Sequence, residues 1–229
     1  MLHIIDPASG LVTDLASTAG ITSTLAWSPD DTRIVFGDET RSIHSVDVDT
    51  GEVSPVVELA GYVETIYAFS WSPDGSRLAV LVEGTGAAQL LVMDTGGSNI
   101  RIVAAGELTT ADWSPDASRI VFAEEHGLAT ASGEIRIWVA PADGSTASLV
   151  ASYGNRGCCL WGDPVWSPDG SQIAFSEEPN RAHVVSADGS SDVEDIDDLT
   201  YASWSGGSFC DMCLAWINHP VSYEGPRET

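Results

Sequence analysis

The tetrapeptide Trp-Ser-Pro-Asp constrains this sequence more than any other feature, because it occurs four times in 229 residues. The copies begin at Trp27, Trp71, Trp113 and Trp166, and a degraded copy, Trp-Ser-Gly-Gly, begins at Trp204. Successive tryptophans are 44, 42, 53 and 38 residues apart. A recurrence of about 40 to 45 residues is typical of repeat proteins in which each unit is one small supersecondary block.

Each copy of the motif predicts a tight turn between two strands. Proline fixes φ, aspartate bonds its own backbone, and Gly75 or Gly170 supplies a positive φ in two copies. Short apolar runs flank every turn, and a second turn rich in Asp, Thr and Gly follows in each unit. Four short strands per unit predict a propeller blade. The residues that define the motif are Trp27, Pro29, Asp30, Trp71, Pro73, Asp74, Trp113, Pro115, Asp116, Trp166, Pro168, Asp169 and Trp204.

With these motifs, the sequence resembles the TolB-type, WD-like β-propeller repeats, whose signature is a Trp-Ser-Pro-Asp-Gly turn followed by an apolar strand. The resemblance covers nearly the whole chain and implies an all-β propeller. It implies less about function, because propellers of this family serve as binding scaffolds, as appendages of peptidases and occasionally as enzymes.

We expect a single propeller domain over residues 1–229, with five four-stranded blades. Four complete blades are predicted near residues 21–59, 65–104, 108–150 and 162–196. Residues 1–16 resemble the last two strands of a blade, and residues 199–217 resemble the first two. Pairing these terminal segments in one sheet would close the ring and remove exposed strand edges. Since TolB-type propellers commonly have six blades, the alternative is that the chain forms part of a six-bladed or larger propeller.

The charge of the chain is strongly negative: 34 Asp and Glu residues against nine Arg give a net charge of −25. Such an excess repels nucleic acid and anionic lipid, which disfavours polyanionic partners. The sequence has no long apolar run, so we expect no membrane insertion. The negative surface reflects either general solubility or an acidic face for a basic protein or peptide.

One repeat position predicts an acidic ring. The residues eleven and twelve positions after each motif Trp include Asp38, Glu39, Glu83, Glu124, Glu125, Glu177 and Glu178, and His219 takes the corresponding place in the degraded unit. In a propeller these positions would meet at the end of the channel opposite the Pro-Asp turns. We therefore predict a binding site for a basic segment there, with Trp161 in the neighbouring loop 151–162. We predict no cofactor; a divalent cation at the channel mouth is the alternative.

The four cysteines leave several pairings open. Cys158 and Cys159 are adjacent, whereas Cys210 and Cys213 lie in the enlarged turn of the degraded unit. Local disulfides, free thiols and a shared metal site are all compatible with this spacing, and local disulfides are favoured because the two pairs belong to opposite ends of the predicted blades. Oxidised cysteines would indicate an extracytoplasmic location, whereas a true start at Met1 would favour the cytoplasm.

The sequence contains no Gly-x-Ser-x-Gly elbow, His-Glu-x-x-His pair or phosphate-binding loop. We therefore predict a non-catalytic scaffold that binds a protein or peptide through its acidic face. Two alternatives stand beside it. One is a metal-assisted small-molecule lyase or hydrolase that uses Glu83, Glu124, Glu177 and His219. The other is a structural subunit of a larger extracellular assembly.

Overall fold

A computed structural model describes residues 2–6, 8–16, 20–84, 86–126, 134–154, 162–177, 181–191 and 194–196. Their regular structure is entirely β: four four-stranded antiparallel sheets and one two-stranded hairpin. Within these residues, no helix has the length and apolar character needed to cross a membrane. The predicted all-β class is confirmed.

Within each sheet the strands lie side by side in sequence order. The hairpin consists of β1 (Leu2–Ile5) and β2 (Val12–Ala16). Sheet I consists of β3 (Ala26–Trp27), β4 (Arg33–Gly37), β5 (Ser42–Asp47) and β6 (Val53–Glu58). Sheet II consists of β7 (Thr65–Trp71), β8 (Arg77–Glu83), β9 (Ala88–Asp94) and β10 (Arg101–Gly106).

The remaining two sheets repeat the same order. Sheet III consists of β11 (Leu108–Trp113), β12 (Arg119–His126), β13 (Glu134–Pro141) and β14 (Ser148–Gly154). Sheet IV consists of β15 (Gly162–Trp166), β16 (Gln172–Glu177), β17 (Arg181–Ser186) and β18 (Glu194–Ile196). Outer strands β10 and β14 extend two and four residues beyond the predicted blade ends at 104 and 150. The predicted pairing of residues 199–217 with residues 1–16 lies outside the described residues.

The serine of the motif, which the sequence analysis left without a role, organises each turn. In sheet II the buried Ser72 hydroxyl donates to a carboxylate oxygen of Asp74 at 2.6 Å and accepts the backbone N–H of Arg77 at 2.9 Å. The same carboxylate accepts the backbone N–H and the hydroxyl of Ser76. The other three copies repeat this network, and their serines are also buried. The motif is therefore a hydrogen-bonded turn that links the first and second strands of a sheet.

The residue after each motif aspartate adopts the left-handed conformation. Gly75 and Gly170 have φ values of 69° and 70°, as predicted. In the other two copies Asp31 and Ala117 adopt φ of 58° without the help of a glycine. Because L-residues with a Cβ are strained in this region, the hydrogen bonds of the turn must hold these two residues in place.

The apolar core is divided among the interfaces between sheets. One cluster joins sheets I and II around Ile66 and Leu78, a second joins sheets II and III around Leu90 and Ile120, and a third joins sheets III and IV. A smaller cluster packs Leu2 of the hairpin against sheet I. Sheets I, II and III thus each take part in two of these clusters, one shared with each neighbouring element, as expected of a repeat architecture.

The motif tryptophans fix how neighbouring sheets stack. The indole Nε1 of Trp71 donates to the carbonyl of Ala26, and that of Trp166 donates to the carbonyl of Asp112, at 3.1 and 3.3 Å. In each case the acceptor immediately precedes the motif Trp of the previous sheet. Equivalent positions of sheets I to IV therefore lie at equivalent levels, which is the condition for a ring of repeat-related side chains.

Candidate functional site at the upper end of the sheets

The topology gives every sheet two distinct ends. The lower end carries the Trp-Ser-Pro-Asp turns and the turns between third and fourth strands. At the upper end the second strand finishes and the third begins, as the pairings of Glu83 with Ala88 and of His126 with Glu134 show. The first strand also begins there, since Thr65 pairs with Glu83 and Leu108 with Glu124. The residues predicted to form the acidic ring thus lie at the upper ends of their sheets wherever they are described.

Acidic residues differ in kind between the two ends. The lower turns carry mainly aspartate: Asp30, Asp31, Asp47, Asp49, Glu52, Asp74, Asp94, Asp116, Asp143, Asp169 and Asp188. The upper ends carry mainly glutamate: Asp38, Glu39, Glu58, Glu64, Glu83, Glu107, Glu124, Glu125, Glu134 and Glu177. Aspartate is short enough to bond the backbone of its own turn, whereas glutamate extends away from it. The composition of each end therefore reflects a different use of the carboxylate.

The lower aspartates act within their turns. The Ser114 hydroxyl, followed by the backbone N–H of Ser118, lowers the pKa of Asp116 to about 2. Equivalent hydrogen bonds lower the pKa of Asp30 and Asp169 to about 2 as well. Because these oxygens already accept hydrogen bonds, the lower charges serve mainly to hold the turns.

Asp38 is the one aspartate of the predicted ring, and it behaves like the lower turn residues. Its carboxylate accepts the backbone N–H groups of Thr40 and Ser42 at 2.9 and 3.0 Å, and its other oxygen lies 2.9 Å from Nε2 of His44. Burial raises the pKa of Asp38, but the hydrogen bonds from Thr40, Ser42 and His44 outweigh it and lower the pKa to about 2. The His44 ring also stacks on Phe36, with 5.4 Å between centroids. Asp38 therefore shapes the turn after β4.

Glu83 and Tyr67 form a pair at the upper end of sheet II. The Tyr67 hydroxyl donates to Oε2 of Glu83 at 2.6 Å, and this bond raises the pKa of Tyr67. Tyr67 occupies a bulge in β7, between Ile66 and Ala68. Its ring is 44% exposed, so the pair presents an aromatic surface beside a carboxylate. The sequence analysis did not identify Tyr67; its position four residues before a motif Trp is the signal that could have found it.

Glu124 occupies the corresponding position in sheet III and has a different partner. Its Oε2 accepts the indole N–H of Trp138 at 3.0 Å. The side chain lies over Gly106, where an added Cβ would come within 2.8 Å of a carboxylate oxygen of Glu124. A glycine at the end of β10 therefore leaves room for this half-buried glutamate. Both Glu83 and Glu124 are held by one donor, which fixes their orientation and leaves acceptor capacity on each carboxylate.

The other described carboxylates at this end differ in exposure. Glu39 is exposed and lies against Gly20, while Glu125 is half-buried and its backbone N–H bonds the carbonyl of Glu107. Glu177 is the last residue of β16. Three exposed glutamates that the sequence analysis missed, Glu58, Glu64 and Glu107, lie in or beside the connections from fourth to first strands, which end at the same level. Glu64 and Glu107 directly precede a first strand and Glu58 ends a fourth strand, and this placement is the pattern that could have revealed them.

Several predicted site residues lie outside the described part of the chain. They are Glu178, Trp161 and His219, the degraded motif at Trp204, and the candidate disulfide residues Cys158, Cys159, Cys210 and Cys213. Among the residues that the structure describes, no three His, Cys, Asp or Glu side chains come close enough together to hold a metal ion. Glu83 and Glu124 are thus placed on separate sheets, each with its own protein partner.

The repeated turns, the stacked sheets and the tryptophan links between them agree with the family that the sequence matches. Residues 21–205 match the family model of the TolB beta propeller domain. The chain belongs to this family. The predicted family is confirmed. In this TolB beta propeller, three motif tryptophans donate hydrogen bonds to the preceding sheet.

Solved structures similar to this TolB beta propeller include proteins of different function. The putative TolB from Agrobacterium tumefaciens has a TM-score of 0.61 and 20% identity over 88% of this chain and 71% of that one. An oligogalacturonate lyase in complex with manganese has a TM-score of 0.62 and 19% identity over 81% of this chain and 55% of that one. The oligogalacturonate lyase from Vibrio parahaemolyticus has a TM-score of 0.62 and 15% identity, over 89% and 61%. At these identities the likeness shows the fold alone, and the chain spans less than two thirds of either lyase.

Proposed function

We propose that this TolB beta propeller is a non-catalytic scaffold that binds a basic protein or peptide segment at the upper ends of its sheets. The observation that carries the proposal is the division of acidic residues between the two ends. Eight of the ten lower aspartates accept hydrogen bonds in their turns. Exposed upper glutamates such as Glu39, Glu58 and Glu107 instead extend from connections at one level. A face of this kind concentrates negative potential and attracts cationic side chains.

Oriented carboxylates and an aromatic ring add selectivity to this charge. Glu83 and Glu124 are held by Tyr67 and Trp138, so they lose little side-chain freedom when a cation binds. The half-exposed ring of Tyr67 lies beside Glu83, an arrangement that suits an arginine or lysine, which can contact a carboxylate and an aromatic face together. The neighbouring loop 151–162 with Trp161 is included in this proposed face.

The test uses a ten-residue arginine peptide as the probe, with affinity measured by calorimetry at low and at physiological salt. The upper variant combines Glu83→Gln and Glu124→Gln, which keep an oxygen acceptor for Tyr67 and Trp138 but remove two charges. We expect the upper variant to bind about tenfold more weakly, because each charge at the rim of an interface contributes roughly 0.5 to 1 kcal/mol. Affinity should also fall steeply with salt.

A matched control removes the same formal charge from the lower end. Asp49→Asn with Glu52→Gln changes two exposed residues of the turn between β5 and β6. We expect this variant to bind the peptide within about twofold of the unmodified protein, because its charges lie at the far end of the sheets. Equal weakening by the two variants would mean that overall charge, and not the upper face, attracts the peptide.

The same proteins distinguish the two alternative proposals. A metal-assisted lyase or hydrolase that uses Glu83, Glu124, Glu177 and His219 would bind Mn²⁺ tightly, and the upper variant would lose that binding. A structural subunit of a larger extracellular assembly would self-associate, which sedimentation velocity measures directly. Peptide binding by a monomer without a tight Mn²⁺ site supports the scaffold proposal.

A further inference from the structure

A cavity opens at the lower end of the interface between sheets II and III. Its volume is about 160 Å³, a space for roughly five water molecules at about 30 Å³ each. The polar side chains that line it are Arg77, Asp94, Asn99 and Arg101. The chain has nine Arg against 34 acidic residues, so composition does not explain two arginines in one cavity.

The strand register places both arginines on the same face of sheet II. Arg77 begins β8 and pairs with Asp94 of β9. Arg101 begins β10 and pairs with Val92 of the same strand. Paired residues share a face of a sheet, and so do residues two apart on one strand. Val92 belongs to the core cluster that joins sheets II and III, so this shared face is the one toward sheet III.

Each guanidinium is held by a carbonyl in a lower turn of sheet III. The Arg77 guanidinium donates to the carbonyl of Ala117, and Nη1 of Arg101 donates to the carbonyl of Asp143 at 3.3 Å. Within the part of the chain that the structure describes, neither arginine forms an ion pair with Asp or Glu. Because a guanidinium has several N–H donors, both side chains keep donors for a ligand.

The repeat explains one of these two arginines. Arg33 and Arg119 begin the second strands of sheets I and III, and like Arg77 they lie over the motif indole of the next sheet. The first residues of the four fourth strands are Val53, Arg101, Ser148 and Glu194. Arg101 therefore adds a cation at a position where the repeat does not supply one.

The carboxylate that lines the cavity with the two arginines is already engaged. Oδ2 of Asp94 accepts the side-chain amide of Asn99 at 2.6 Å and the hydroxyl of Ser98 at 3.0 Å. Two guanidiniums and one carboxylate leave the lining with a net positive charge. Buried Val92 and Ala142 add an apolar wall, which strengthens the attraction between the guanidiniums and an anion because it lowers the local dielectric constant.

We propose that this cavity binds the phosphate group of a small molecule. Guanidiniums bind phosphate through charge-assisted hydrogen bonds. A phosphate group presents more acceptor oxygens than a carboxylate, so side chains from β8 and β10 can donate to different oxygens of the same group. The cavity and the proposed face for a basic segment lie at opposite ends of the sheets, so neither site depends on the other.

The experiment titrates inorganic phosphate into the full chain at constant ionic strength and follows the indole N–H signal of Trp113 by NMR. Trp113 reports on the cavity because the Arg77 guanidinium lies 4.9 Å from its ring centroid, and Trp113→Phe assigns the signal. We expect a saturable shift at Trp113 and none at Trp71, which lies in the interface between sheets I and II. Acetate should bind at least about tenfold more weakly than phosphate.

Arg101→Gln tests the site directly, because glutamine keeps an N–H donor for the carbonyl of Asp143 and loses the charge. We expect this variant to bind phosphate at least about tenfold more weakly. The matched control is Arg41→Gln, which removes the same charge from another exposed arginine. Arg41 also donates to a backbone carbonyl, that of Glu64 at the upper end of the sheets. The control should bind phosphate within about twofold of the unmodified chain.

Three results would overturn the proposal. The absence of a saturable shift at Trp113 would mean that the cavity does not take phosphate. Equal affinities of Arg101→Gln and Arg41→Gln would mean that phosphate acts as a general counter-ion. Acetate that binds as tightly as phosphate would show that the two guanidiniums do not select a phosphate group.

Discussion

The indole Nε1 of Trp113 donates a hydrogen bond of 3.1 Å to the carbonyl of Ser70 in the neighbouring sheet. The guanidinium of Arg77 lies 4.9 Å from the centroid of the same indole, and its Nη2 donates to the carbonyl of Ala117. Sheet II therefore holds the indole of sheet III both by its edge and by its face. The motif tryptophan is a joint between blades, which explains why it recurs once per unit.

Replacing Trp113 with Phe should destabilise the protein by about 2 to 4 kcal/mol. The change removes the hydrogen bond to Ser70 and leaves that carbonyl without its donor. It also weakens the contact with Arg77 and leaves space in the core, because the Trp113 side chain is only 3% exposed. The free energy of unfolding in urea measures the effect. The control Tyr62→Phe alters a residue that is 78% exposed and should change stability by less than about 0.5 kcal/mol. A loss of equal size in both variants would contradict a joint at Trp113.

The sequence was sufficient to predict the repeat, the family and the order of strands, because the motif encodes local turn chemistry. The periodic apolar runs after each turn then place the second strands, such as β8, in the core. Spacing could not reveal the left-handed φ at Asp31 and Ala117, since neither residue is a glycine. In both turns the hydrogen bonds between the motif Ser and Asp outweigh the preference of a non-glycine residue for a negative φ.

The left-handed conformation of Asp31 predicts that glycine is tolerated at this position better than elsewhere in a lower turn. Asp31→Gly removes the strain of a Cβ at φ of 58°, which offsets the extra backbone entropy of glycine in the unfolded chain. Asp49→Gly makes the same chemical change where φ is not positive, so only the entropic cost remains. We expect Asp31→Gly to be more stable than Asp49→Gly by about 1 kcal/mol in thermal and urea unfolding. The opposite order would show that Asp31 is not strained.

Acid should unfold the protein through its lower turns. The Ser114 hydroxyl and the Ser118 donors lower the pKa of Asp116 to about 2, whereas an unfolded aspartate titrates near 4. The unfolded chain therefore binds more protons between about pH 4 and pH 2, and the stabilising contribution, complete above pH 4, is lost as pH falls through this window. Asp116→Asn should lower stability at neutral pH and flatten the dependence of stability on pH below 4. A dependence that Asp116→Asn leaves unchanged below pH 4 would show that this turn does not carry the acid sensitivity.

The candidate site was less predictable than the fold. A fixed offset from each Trp selects Glu83 and Glu124, which lie at the upper ends of neighbouring sheets, but it treats Asp38 as their equivalent. The structure shows that Asp38 is bonded within its own turn and to His44, because a shorter side chain reaches the backbone N–H groups of Thr40 and Ser42. The partners Tyr67 and Trp138 come from other strands of the same sheets, so only the three-dimensional pairing identifies them.

The packing between sheets I and II should depend on Gly97 more than on any other glycine of that turn. An added Cβ at Gly97 would lie 2.2 Å from the carbonyl oxygen of Val56, and φ is 78°. The neighbouring Gly96 has open space around its Cβ position and no positive φ. We expect Gly97→Ala to cost at least about 3 kcal/mol, because either the blade interface or the turn must move, whereas Gly96→Ala should change stability by less than about 1 kcal/mol. Urea unfolding of the two alanine variants provides the comparison. Equal stability of the two would mean that the fourth strand of sheet I does not press on the turn of sheet II.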